Sequence, residues 1–394
     1  MMIIEIKGVE FENKGAQLML CAITEQVTGI WPDAEFALTP SKKASFFQRS
    51  RVPAWQKLAL RKNLLDLNRL SYWLPSIVRS KLRDWGIVTE ADVDIIIDAS
   101  GFSYSDQWPS KIRIYHLKNE LKRFRQKGKP YIFMPQAFGP FTTKISQDRI
   151  AQSFKDATMI CAREEQSFKH IKDITGPIPH LYQYGDFTNL VDGIVPNYFD
   201  VSVRWACIVP NINMVNPRNT NKAWINRYES MLLEAVIYYK ECGLTPFFLN
   251  HEGNEDGTLI EKINSKIDTP IKIVAEADPR VVKGIIASSE AVLCSRYHGC
   301  VSALSSGVAC VGTSWSHKYE LLYQDYRAPE LLLNPLMSNK ELKEVINLSL
   351  QNSEAITEKL VRRASDLKLQ SLEMWKELLR LLKSQITIEE KRKL

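Results

Sequence analysis

The sequence predicts an α/β chain of two Rossmann-like domains with parallel sheets, closed by a helical C-terminal tail. Three observations carry this reading. Short β-rich runs alternate with amphipathic helical stretches, the pattern of parallel strands joined by crossover helices. The alternation comes in two blocks that meet near residues 186–202. At 394 residues the chain is too long for one ordinary α/β domain and comfortable for two. The expected domains are 1–199, 200–335 and a helical extension over 336–394.

In the first block, Ile3–Lys7 reads as a strand and Ala16–Ile30 as a helix, with Leu20, Ile23, Val27 and Ile30 at helical spacing. Glu35–Leu38, Val93–Asp98, Pro130–Met134 and Thr158–Ala162 read as further strands. Helices are expected over Ser110–Lys127, ending at Gly128, and over Glu164–Lys172. In the second block the strands are Val203–Val209, Pro246–Asn250, Ile271–Val274, Ala291–Cys294 and Val308–Gly312. The helices are Ala223–Cys242, Glu255–Lys266, Arg280–Ser288, Cys300–Ser306 and Ser316–Gln324. Asp278-Pro279 supplies an N-cap and N1 pair. Two such domains with a cleft between them place ligands at the carboxyl ends of strands.

Composition is globular, with 45% hydrophobic and 25% charged residues. The seven cysteines form no CxxC pair, which argues against a thiolate zinc site and a disulfide framework and suits a reducing compartment. The amino terminus is charged too soon for a secretory signal, and no apolar run approaches a membrane span. A cytoplasmic protein is expected, with peripheral contact at the membrane face as a further option. Segment 45–85 holds nine basic and two acidic residues, an excess equal to the whole net charge of +7. It also carries Trp55, Trp73, Trp85 and many leucines. Two readings stay open: a helix on an anionic membrane surface, or a helical insertion packed on its own domain with a solvated basic face. Nucleic acid is disfavoured, because the rest of the chain is charge-balanced and carries no such module.

The sharpest segment is Ser295-Arg296-Tyr297-His298-Gly299, which follows a buried strand and opens a helix. Arg296 and His298 are two apart in extended chain and point the same way. A helix amino terminus adds positive potential. Such a place binds a phosphate or carboxylate beside a protonatable imidazole; the alternative is an arginine capping a carbonyl and a histidine satisfied in the core. Asn13-Lys14-Gly15-Ala16, Asp98–Gly101, Met134–Pro140, Cys161–Glu165 and Ser314–Lys318 also fall at strand ends. Asp92-Val93-Asp94 precedes its strand, unlike a metal-binding carboxylate pair. His116, His170, His180 and His251 lie in polar surroundings without partners and read as surface or structural. No HExxH, EF-hand loop, Walker A or GxSxG occurs, and no metal site is expected.

Ser295-Arg296-Tyr297-His298-Gly299 with Ala303-Leu304-Ser305-Ser306-Gly307-Val308 resembles the hallmark of the polysaccharide pyruvyl transferase family. Asn13-Lys14-Gly15-Ala16, Asp98–Gly101, Pro135-Gln136 with Gly139-Pro140, Ala162-Arg163-Glu164 with Ser167, and His317-Lys318 fall in the family's order, over about Ile3 to Tyr323. Departures are Glu164 for aspartate, Ala99 and Ser100 for glycine, and Ala309 for proline. The resemblance implies a GT-B-like fold, no metal or cofactor, and transfer of a pyruvyl group from phosphoenolpyruvate to two hydroxyls of a sugar in a cell-surface glycan precursor. A cyclic ketal forms and phosphate leaves. It implies that the first domain faces the acceptor and the second the donor. It further implies that Arg163 and Arg296 hold the donor and that His298 is catalytic or donor-binding. Two guanidinium forks match a small dianion, and an imidazole with a pKa near ~6.5 serves either proton transfer. Asp98 or Asp106 is the candidate base for the sugar hydroxyls. His317 and Lys318 add an anion contact, and Asn13, Gly15, Gly101 and Gln136 form acceptor or phosphate loops. The acceptor is expected to be sugar, with a lipid diphosphate as one carrier. Alternatives are a GT-B glycosyltransferase using a nucleotide sugar and a non-catalytic glycan-binding member.

Overall fold

The computed structural model describes residues 2–62, 65–108, 112–217, 219, 221–351 and 353–393. The chain divides into two compact units. Unit 1 is Met1–Phe11, Met19–Phe187 and Gln370–Leu394; unit 2 is Glu12–Leu18 and Thr188–Leu369. The passage at 187–188 lies upstream of the expected boundary at 199–200. The helical extension is not a body of its own, because its last stretch groups with unit 1.

The elements of the first block, in order, are β1 (Met2–Lys7), α1 (Lys14–Ile30), β2 (Ala34–Leu38), α2 (Phe46–Arg49), β3 (Ala54–Lys57), β4 (Arg61–Lys62), β5 (Leu65–Asp66), α3 (Ser76–Asp84), β6 (Ile87–Val88), β7 (Ile95–Asp98), α4 (Ile112–Gln126), β8 (Tyr131–Gln136), α5 (Lys144–Phe154), β9 (Met159–Ala162), α6 (Glu165–Thr175) and β10 (Leu181–Gln183). Among the described residues they form a parallel sheet ordered β10-β9-β8-β7-β1-β2-β3-β6, with β4 and β5 apart as a short antiparallel ribbon. The apolar runs Ile95–Ile97 and Tyr131–Met134 are fully buried, as strands covered on both faces must be. Ile114, Leu117, Leu121 and Phe124 recur at helical spacing and bring α4 onto that sheet.

Unit 2 contains β11 (Trp205–Val209), α7 (Lys222–Glu241), β12 (Thr245–Asn250), α8 (Gly253–Asn264), β13 (Lys272–Ala275), α9 (Pro279–Ala287), β14 (Ala291–Cys294), α10 (Tyr297–Ser305), β15 (Cys310–Gly312), α11 (Lys318–Asp325), α12 (Asn339–Gln351) and the first part of α13 (Ser353–Lys393), as far as Leu369. Its parallel sheet runs β13-β12-β11-β14-β15. One face packs on α9, α10 and α13 through Ile285, Leu304 and Leu360, and the other on α7 and α8 through Leu232, Tyr239 and Ile260. The two parallel sheets and the helical C-terminal region agree with the predicted architecture.

Two expectations are corrected. Segment 45–85 is not a helical insertion: Ala54–Lys57 pairs with β2 inside the sheet, and β6 follows on its edge. The expected helix start at Ser110 lies outside the described residues. Of the histidines read as partnerless, His170 and His180 have carbonyl partners. His170 Nδ1 lies 2.9 Å from the Phe138 carbonyl, His180 Nε2 lies 2.7 Å from that of Phe154, and His116 is buried. Among the described residues, no helix is long and apolar enough to cross a membrane.

Candidate functional site

In unit 2, β14 is flanked by β11 and β15, so its carboxyl end is surrounded by other strand ends. Ser295 follows it and is tied down completely. Its amide donates to Val209 O at 2.9 Å, and its hydroxyl accepts from Tyr228 at 2.6 Å and Thr313 at 2.8 Å. Its carbonyl accepts from Asn211 at 2.8 Å and Tyr319 at 2.9 Å. Five bonds of roughly 1 kcal/mol each fix the loop that carries the next residues.

Arg296 is 8% exposed. Its Nε donates to Asp256 Oδ2 at 2.8 Å, Nη2 donates to Asp256 Oδ1, and Nη1 meets Glu252. Asp256 also accepts the Ile212 amide at 2.9 Å. Burial opposes charge on both members. It pushes the Asp256 carboxyl up and the Arg296 guanidinium down from their ordinary values. Each charge is tolerable there only beside the other.

His298 opens α10 and is half-buried, edge-on to Tyr297 at 5.3 Å between ring centroids. Its ring lies against the first turn of α1. A Cβ added to Gly15 would come 2.0 Å from His298 Nδ1, so a residue with a side chain does not fit. Asn13 caps that turn, its Oδ1 accepting from Gly15 N at 2.9 Å and Ala16 N at 3.3 Å. The imidazole therefore sits at the positive end of a helix. Lys318 opens α11 with its Nζ 5.2 Å from the Tyr297 ring centroid, 4.9 Å from Trp315 and 5.6 Å from Tyr319. His317 is exposed.

Three residues of this cluster escaped the sequence reading. His251, Glu252 and Asp256 follow the carboxyl end of β12. His251, read from the sequence as surface or structural, is 3% exposed, and among the described residues its Nδ1 has no hydrogen-bond partner. Burial first, then Arg296, His298 and Lys14, push its pKa well below the ordinary histidine value, so its ring is neutral at pH 7.

In unit 1, the predicted residues at three adjacent strand ends are bonded together. Asp98, fully buried at the end of β7, accepts from Tyr104 OH at 2.6 Å, Ser100 N at 3.0 Å and Tyr131 OH at 3.3 Å. Gln136 donates to the Asp98 carbonyl at 3.3 Å, Ala137 N to the Gly101 carbonyl at 2.9 Å, and Arg163 N to the Gln136 carbonyl at 3.1 Å. The Arg163 guanidinium is buried, with Nε 3.6 Å from Glu164 and Nη1 3.5 Å from Asp186. Glu164 also accepts from Ser167, whose hydroxyl takes the Phe138 amide at 2.7 Å. The longer Glu164 thus still serves both partners. Ser100 is accommodated by Gly8, which has φ +80° and whose added Cβ would lie 2.3 Å from Ser100 Cα.

Asp106 is engaged differently. It accepts from Thr142 N at 2.7 Å, Thr143 N at 2.9 Å and Ser146 Oγ at 2.6 Å, at the start of α5. Burial alone would raise its pKa, yet these bonds outweigh it and hold the carboxyl well below the usual range. A cavity of about 360 Å³ opens beside Asp98, lined by Lys7, Ser100, Tyr104, Arg113 and Glu120 among others. Burial opposes the Glu120 charge, but Lys7, Arg61 and Lys57 outweigh it and hold that carboxyl far below the usual range.

Residues 13–317 match the family described as polysaccharide pyruvyl transferase. No curated protein matches the chain. Among solved structures the fold is similar to UDP-GlcNAc 2-epimerase from Neisseria meningitidis bound to UDP-GlcNAc, at 10% identity and TM-score 0.57 over 96% of this chain and 100% of that one. It is similar to HepE from Anabaena in complex with UDP, at 12% identity and TM-score 0.55 over 98% and 100%. Spinosyn rhamnosyltransferase SpnG gives 13% identity and TM-score 0.53 over 98% and 100%. These likenesses establish a GT-B-like fold. With the family match spanning most of its length, the chain belongs to the polysaccharide pyruvyl transferase family.

Proposed function

We propose that this transferase moves a pyruvyl group from phosphoenolpyruvate to two hydroxyls of a sugar in a cell-surface glycan precursor, forming a cyclic ketal and releasing phosphate. The observation that carries the proposal is the cluster of Arg296, His298 and the α1 amino terminus, in which Gly15 leaves room for the imidazole. A guanidinium and a helix amino terminus suit an anionic enol ester. His298 delivers a proton to the methylene carbon, creating an oxocarbenium-like centre, or protonates departing phosphate. Neutral His251 lines the same cluster without adding charge. Phosphate arriving at Arg296 takes the place of Glu252, while Asp256 keeps the guanidinium oriented. Lys318 and exposed His317 are a further anion contact. Arg163 is the second donor arginine by family resemblance.

The balance needs no oxidant or reductant. Two sugar O–H protons are lost; one ends on the new methyl group and one on phosphate. Asp98 is the base we assign for a sugar hydroxyl, since it faces a cavity of sugar size through Tyr104 and Ser100. Asp106 is occupied as a cap. Mass spectrometry of candidate nucleotide-linked or lipid-linked sugars incubated with phosphoenolpyruvate tests the proposal. The product gains the mass of pyruvic acid less water. Sugar transfer from a nucleotide sugar in reactions free of phosphoenolpyruvate would overturn it.

A further inference from the structure

The segment around α3 turns its charges in and its apolar groups out. Arg79 and Arg83 of α3 point at Asp92 Oδ1, at 2.8 and 2.6 Å. Lys57 reaches buried Glu5 at 2.5 Å, and Arg61 lies 3.2 Å from Asp66. None of the residues of α3 is buried. Ile77, Val78, Lys81 and Trp85 share one helical face. Ile77 is 70% exposed, Trp85 77%, and Trp73, just ahead of the helix, 79%. Nine of the 22 large apolar side chains exposed among the described residues fall within 46–85, a tenth of the chain. Single exposed apolar residues are ordinary, but a concentration of this kind marks a surface that something covers.

We infer that this face docks on an anionic bilayer surface. With Asp66 and Asp92 turned to arginines, Asp84 remains as the exposed acid of the segment, against exposed Arg51, Arg69 and Lys81. Tryptophans beside cations suit the headgroup region, where an indole is half wet and half apolar. At nine residues, α3 lies on a membrane rather than crossing it. A second copy of the chain would set these cations against themselves, which disfavours self-association through this face. The inference rests on this surface alone and not on the reaction proposed above.

The test is co-sedimentation of the full chain with phosphatidylcholine vesicles, with and without about a quarter phosphatidylglycerol. Wild type is expected to bind the anionic vesicles with a blue shift of tryptophan emission. Binding weakens with salt. The triple variant Trp73→Ser, Ile77→Ser, Trp85→Ser loses at least ~10-fold in partitioning with an unchanged thermal midpoint. The double variant Arg69→Glu, Lys81→Glu loses the preference for the anionic lipid. Absent wild-type binding, or a triple variant that binds equally well, overturns the inference. So does a wild-type dimer that the triple variant converts to monomer, which assigns the face to a second copy.

Discussion

The Gly15 backbone lies against the His298 imidazole so closely that a β-carbon at position 15 would stand 2.0 Å from Nδ1. Loop, helix start and imidazole are therefore one packed unit. Gly15→Ala must move either the ring or the first turn of α1. A displacement near 1 Å at a proton-transferring group costs roughly 100-fold in turnover. Phosphate release at saturating phosphoenolpyruvate measures it. Unchanged turnover would remove His298 from the chemistry.

Asp256 is the fully buried partner of a nearly buried arginine. Asp256→Asn leaves Arg296 with Glu252 alone, and the expected loss of stability is about 3–5 kcal/mol. Urea unfolding measures the loss. Replacing both partners by apolar residues of similar volume is expected to restore stability without restoring turnover, because the second change removes the anion-binding fork. Recovery of both would assign the pair a purely structural role.

Asp98 and Asp106 separate the candidate bases. Asp106→Asn weakens bonds to Thr142, Thr143 and Ser146, with about 1 kcal/mol lost in thermal unfolding and turnover kept. Asp98→Asn keeps the shape but removes the base, so kcat falls by about 100-fold or more. The reverse pattern in steady-state kinetics would exchange the two roles.

Much of this arrangement was legible in the sequence. The β14–α10 junction is readable because an apolar strand ends sharply at Cys294 and polar residues with a glycine follow. The same logic finds Asp98, Gln136 and Arg163, each at the end of a buried run. His251 was missed because Asn250-His251-Glu252 looks polar throughout; only its position at the end of a strand beside β11 buries it. The role of Asp106 was illegible, because its partners arrive from a loop 36 to 40 residues away. The basic segment misled through composition: its arginines and tryptophans suggest a helix, whereas Ala54–Lys57 is drawn into the sheet by pairing with β2. The early end of unit 2 on α13 was likewise invisible, since helical periodicity continues through it.

The end of α13 provides a pH test. Glu377 accepts from Tyr182 at 2.7 Å and from Arg380. The Arg380 bonds, with a further one from Tyr182, outweigh burial and lower the Glu377 pKa from 4.5 to about 2. A carboxyl lowered in the folded state stabilises fully above its unfolded pKa, and that contribution disappears as pH falls from 4.5 toward 2. Hydrogen exchange over residues 370–384 is expected to accelerate in that window. Glu377→Gln abolishes the dependence and exchanges faster at pH 7. A wild-type profile flat down to pH 2 would contradict it.

The most direct test of the central claim is phosphate release from phosphoenolpyruvate with a glycan-precursor acceptor, compared among wild type, Arg296→Lys and His298→Ala. Wild type is expected to release one phosphate per ketal formed, and both variants to lose at least ~1000-fold with the fold intact. Equal phosphate release by all three proteins would contradict it.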